Sequence, residues 1–189
     1  MSTLNITLKV GAIFIAVLAS SAAFAQSQTH YGFGATADPQ ELAKFFSIPA
    51  DGAGLPPGSG TPATGAKVFA ENCAACHGDK GQGNPAKGVG GDRLLGGRGT
   101  LASAAPIKTV ESYWPYSTTL FDYVKRAMPF SAPGSLSDNE VYAVVAYILS
   151  EAKIIKSTDT MNATTLPKVT MPNRDGFIPD ARPELELYR

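Results

Sequence analysis

The chain has 189 residues, 16 basic and 16 acidic side chains, and 44% apolar residues. That is enough for one globular domain with extensions. Nothing in a charge balance this even points to a nucleic-acid partner.

Residues 1–25 carry one cation, Lys9, then the apolar run VGAIFIAVLASSAAFA, and close on Ala23, Phe24 and Ala25, a small-x-small sequence that fits signal-peptidase cleavage before Gln26. The run is shorter than the ~20 apolar residues of a spanning helix. The expectation is therefore an export signal, a periplasmic mature protein and no membrane span after cleavage, with a retained anchor as the alternative. Residues 26–62 read as an N-terminal arm. Asp38 as cap, Pro39 in the first turn and Glu41 three beyond the cap predict a short helix. The following PADGAGLPPGSGTPATG is too rich in glycine and proline to pack a core.

A domain is predicted over residues 63–155, starting with a helix in TGAKVFAENC. Cys73 and Cys76, the two cysteines of the chain, sit one helical turn apart and His77 follows at once. Three chemistries use such a triplet. A thioredoxin-like redox pair needs a preceding strand and a βαβ context, whereas the flanks here are helix-like before and glycine-rich after. A structural zinc site needs four ligands and would have to recruit His30 from the N-terminal arm. Covalent haem c needs only what is present: two thiols to add to the porphyrin vinyl groups, and the adjacent imidazole as proximal iron ligand. This reading also uses both sulfurs and leaves no disulfide to form. The glycine-rich GGDRLLGGRG has neither a preceding strand nor a terminal Gly-Lys-Ser/Thr, so it is a weak phosphate-loop signal.

Haem iron in an electron carrier is usually six-coordinate, and Met128 is the strongest candidate for the second ligand. It ends an amphipathic segment with Leu120, Phe121, Val124 and Ala127 on one side, and Pro129 stops the helix. Met161, Met171 and His30 are the alternatives. A haem that was itself catalytic, as in a peroxidase, would need an open distal position instead. A closing helix is predicted in SDNEVYAVVAYILSEA, capped by Ser137 with Glu140 and burying Val141, Val144, Val145 and Ile148. Residues 156–189 show no sustained periodicity and read as a C-terminal extended arm.

These motifs in this order, CAACHG after a short helix, a Met-Pro and a closing helix, resemble the class I c-type cytochromes. The resemblance implies an all-α class I cytochrome c fold with extended N- and C-terminal arms, and a crossing of the first and last helices in which Gly65 and Phe69 pack against Tyr147. It implies one covalently bound haem c held by Cys73 and Cys76, with His77 and Met128 as metal ligands. It further implies Trp114 as the aromatic contact of a haem propionate, with Arg93 and Arg98 as cationic candidates nearby. His77 is expected to donate its second ring N–H to a backbone carbonyl in the following loop, which a proline supplies in the family. Pro85 stands nearer the motif than usual, so the partner stays open.

Three longer stretches, YGFGATADPQELAKFFSIPADGAGLPPGSGT, SYWPYSTTLFDYVKRAMPFSAPGSLSDNEVYAVVAYIL and LPKVTMPNRDGFIPD, are similar to the cytochrome subunits of bacterial sulfite and sulfane dehydrogenases of the sulfur-oxidation pathway. That likeness implies a molybdenum-containing dehydrogenase subunit as partner, with chemistry on that subunit, and a downstream cytochrome c as electron acceptor. A freely diffusing periplasmic carrier serving several redox partners is the alternative. Some members carry two haems, and the single attachment motif excludes a second one here.

Overall fold

The computed structural model describes Gly34, Thr36, Asp38 and residues 47–84 and 91–178. The chain divides into two units, 1–45 and 46–189, and the fold described below belongs to the second. The export signal of residues 1–25, the short helix after Asp38, His30, Pro85 and the last eleven residues lie outside the described residues.

Among the described residues, four helices and one two-stranded ladder build the body. Helix α1 (Pro62–Asn72) starts where Thr61 and Thr64 cap each other and Pro62 takes the first helical position, where no N–H is needed. It buries Gly65 and Phe69. Helix α2 (Ala74–His77) is the single turn that carries the cysteine-histidine motif. Helix α3 (Ser117–Ala127) buries Leu120, Phe121 and Val124, and places Lys125 and Arg126 in its last turn, where the helix dipole favours cations. Helix α4 (Asp138–Glu151) begins with Ser137 and Glu140 in a reciprocal capping box.

Helix α4 is the centre of this unit. Beyond the predicted Val141, Val144, Val145 and Ile148 it buries Tyr142, Ala143, Ala146 and Leu149, because it is packed on several sides and not on one stripe. Against one side lies α1, and the crossing is close: a Cβ at Gly65 would stand 1.8 Å from the Ala143 carbonyl oxygen. One turn along, Phe69 stacks on Tyr147 with ring centroids 5.0 Å apart. Helix α3 packs elsewhere on α4, with Phe121 and Tyr142 at 4.5 Å.

The segment after α4 lies against the body over the residues described. Strand β1 (Ser59–Gly60) pairs antiparallel with β2 (Met161–Asn162), tying this segment to the approach to α1. Gly60 allows that ladder to lie on α4, since a Cβ there would meet the Ala143 nitrogen at 2.1 Å. Next comes a 3₁₀ turn (Leu166–Lys168), whose Leu166 carbonyl accepts a hydrogen bond from Ser117 Oγ at 2.7 Å. Met161, Leu166, Val169 and Met171 are all buried in the main core cluster. Residues 156–178 thus form a strap laid over α3 and α4.

Candidate haem site

The motif turn is held by its own backbone. Cys76 and His77 donate their N–H groups to the Cys73 carbonyl at 3.1 and 2.9 Å, and Gly78, at φ +80°, ends the turn in a conformation that favours glycine. Both cysteines are unpaired and half-buried. Burial pushes the Cys73 thiol up to about 11, and the neighbouring Cys76 adds to the rise. In the bare polypeptide this thiol is therefore protonated at neutral pH, unlike the lowered thiol of a redox-active pair.

His77 Nδ1 lies 2.7 Å from the backbone carbonyl of Asp92. A carbonyl only accepts, so Nδ1 carries the proton and Nε2 keeps the lone pair that a metal takes. The proline of the family pattern is thus replaced by Asp92, a residue whose contribution is a main-chain atom. Gly91 beside it approaches the motif turn so closely that a Cβ would stand 2.3 Å from the Cys76 carbonyl oxygen.

Met128 closes α3 as its C-cap, with its N–H donating to the Val124 carbonyl at 3.2 Å. Past buried Pro129, residues 130–135 are exposed. Lys125 straps this loop from below: Nζ donates to the Leu136 carbonyl at 3.2 Å and pairs with Asp138 at 2.7 Å. Met128, Cys73, Leu94, Leu95 and Trp114 are all half-buried apolar side chains packed on the core. Met161 and Met171, the alternative ligands, are filled into the core at 4% and 1% exposure, the ordinary role of methionine.

Of the three residues expected near the propionates, Trp114 is half-buried and stands edge-on to Tyr123 at 5.7 Å. Arg93 is exposed. Arg98 is placed differently from the expectation: Nε pairs with Glu111 at 2.8 Å, and a terminal nitrogen donates to the Ala152 carbonyl at the end of α4. One carboxylate and one backbone carbonyl hold its guanidinium, so its visible work is to join loop to helix. Sequence reasoning missed Asp92 and Glu111. The only trace of the first was the glycine-rich character of residues 88–97.

A c-x-x-c-h turn with a free Nε2, a methionine at the end of a helix and a crossed helix pair define the class of c-type cytochromes. The sequence profile of cytochrome c matches residues 62–152. Cytochrome c6 of Synechococcus elongatus is 36% identical over 94 residues, 48% of this chain and 90% of that protein. The thiosulfate dehydrogenase of Stutzerimonas stutzeri is 34% identical over 98 residues, 52% of this chain but 30% of that protein. A chain in the crystal structure of the sulfane dehydrogenase SoxCD from Paracoccus pantotrophus superimposes with a TM-score of 0.71 at 40% identity, over 82% of this chain and 75% of that one. The chain belongs to the cytochrome c family. Its cofactor is covalently bound haem c, its role is electron transfer, and Cys73 and Cys76 fit the attachment motif.

Proposed function

We propose that this protein is the haem subunit of a periplasmic, molybdenum-dependent sulfite or sulfane dehydrogenase, passing single electrons from the molybdenum subunit to a downstream cytochrome c. The observation that carries the reading is the extent of the likeness to the sulfane dehydrogenase. A match confined to residues 62–152 could not reach 82% of 189 residues, so the similarity continues into the segments outside the cytochrome domain. Phe177 and Ile178, at 49% and 90% exposure near the end of the strap, are apolar side chains suited to a lasting subunit contact. No helix among the described residues is long and apolar enough to cross a membrane.

In this proposal Cys73 and Cys76 would anchor the porphyrin, and His77 Nε2 and Met128 Sδ would be the donors that hold its iron. Bound haem supplies a one-electron ferric/ferrous couple. The residues around it keep that couple fast by changing little between states: the Asp92 carbonyl fixes the imidazole, and the stop at Pro129 fixes the thioether. The thioether favours ferrous iron relative to a harder donor and so raises the potential. Leu94, Leu95 and Trp114 exclude water, while Trp114 and Arg93 offer donors to the propionates.

Purification from native periplasm at mild salt, followed by metal and haem analysis, tests the assignment. Co-elution of molybdenum and haem c in a fixed ratio is expected, and a cytochrome eluting alone would sink it. The latter result would favour the second reading, a diffusing carrier, which the 90% coverage of cytochrome c6 supports. Partner contact by the strap is tested at its exposed end, since Leu166 and Met171 are buried. Phe177→Ser with Ile178→Ser should weaken complex formation and leave the cytochrome folded. Unchanged co-elution would refute the contact.

A further inference from the structure

Glu111 carries no role in the site as described, yet it is the joint of the loop that faces His77. One carboxylate oxygen pairs with Arg98 Nε at 2.8 Å, and the other accepts the Gly96 N–H at 2.6 Å. The carboxylate side chain is only 16% exposed, so these contacts are poorly replaced by water. Arg98 carries the tie on to the Ala152 carbonyl and so to the end of α4. On its opposite face Gly96 is held again, its carbonyl accepting from Thr109 Oγ1 at 2.7 Å.

Upstream, the same loop is staked a second time. Leu94 and Leu95 donate their N–H groups to the Gly81 carbonyl at 2.7 and 3.2 Å. Gly81 in turn donates to Gly78, the residue that ends the motif turn. The Asp92 carbonyl lies just outside these stakes and has no side-chain means of aiming itself.

We infer that Glu111 is a positioning residue for the proximal imidazole: with Arg98 it pins the 94–98 loop so that the Asp92 carbonyl meets His77 Nδ1, and thereby sets the donor strength of Nε2 toward iron. This rests on His77 being the axial ligand. A good acceptor at Nδ1 makes the imidazole more electron-rich, which favours ferric iron. Loosening the loop weakens that hydrogen bond and moves the reduction potential upward.

The test uses the mature holoprotein with Glu111→Ala, Glu111→Gln and Thr109→Val. Potentials are measured by redox titration, and exchange of the His77 ring proton with solvent is followed by NMR in the diamagnetic ferrous state. Glu111→Ala should raise the potential and speed ring-proton exchange, because the Asp92 carbonyl no longer meets the ring N–H squarely. Glu111→Gln keeps an acceptor for Gly96 and should restore most of both. Thr109→Val, which frees Gly96 from its other side, should shift both readouts in the same direction by less, and it decides the matter if Glu111→Ala yields no holoprotein. A lower melting temperature with unchanged potential and exchange overturns the proposal and leaves Glu111 a fold residue. A wild-type spectrum with no ligated-histidine ring resonance overturns the axial assignment as well, a distinct failure.

Discussion

The strap of residues 156–178 and the loop that follows Met128 are both irregular, and they invert what their compositions suggest. The strap is rich in threonine, asparagine and proline, yet it seals the core with Met161, Leu166, Val169 and Met171. The loop from Pro129 to Leu136 has no charged residue, yet its Phe130 stands 85% exposed. The difference is one of employment. The strap is bound to the body by a β-ladder and by hydrogen bonds from Ser117 and Asn173, so its apolar residues stabilise the fold. The loop is fixed at its base by Lys125, so its tip is left for other contacts.

Substitutions separate the two. The largest change is expected from Met128→Ala: the ferric protein should lose its sulfur-to-iron charge-transfer band, and the potential should fall by a sizeable part of the ~0.8 V range that axial ligands span. A band that survives would move the ligand elsewhere. Leu166→Ala in the strap should do the reverse, costing about 2–5 kcal/mol in denaturant unfolding while leaving the band in place. Asn173→Ala removes a 2.8 Å hydrogen bond to the Tyr113 carbonyl beside Trp114; about 1 kcal/mol is expected, again with the band intact. Phe130→Ser should stay within about 0.5 kcal/mol of wild type, because its side chain has little burial to lose.

Acid offers the mildest handle, acting between the two regions at the start of α4. Hydrogen bonds from the Ser137 side chain and backbone hold the Glu140 carboxyl below its ordinary 4.5. With the folded value depressed, the cap's contribution is complete above 4.5 and fades as pH falls through the folded value. Glu140→Gln should flatten the stability profile in that acid window and nowhere else. An unaltered acid limb would deny the cap this role.

Much of the site was legible because its chemistry is carried by side chains at fixed spacing. Cys73, Cys76 and His77 announce haem attachment, and Met128 followed by Pro129 marks where α3 ends. Helices α3 and α4 were legible through their apolar period and, for α4, through Ser137 and Glu140. What escaped was structure made by main-chain atoms and by non-periodic burial. The Asp92 carbonyl has no residue-type signature, because any amino acid supplies that oxygen. Leu166 and Met171 are too far apart, among too many polar residues, to register as a stripe. Their burial depends on α3 and on the β1–β2 ladder, contacts distant in sequence.

Electron transfer by this chain depends on a porphyrin bonded through Cys73 and Cys76, and denatured intact-mass spectrometry of protein matured in a cytochrome-competent host reads that bond directly. The expected result is a polypeptide heavier by one haem that resists extraction with acidified organic solvent, and a Cys73→Ala, Cys76→Ala variant at bare chain mass. Wild-type protein at bare chain mass with two free thiols would contradict it.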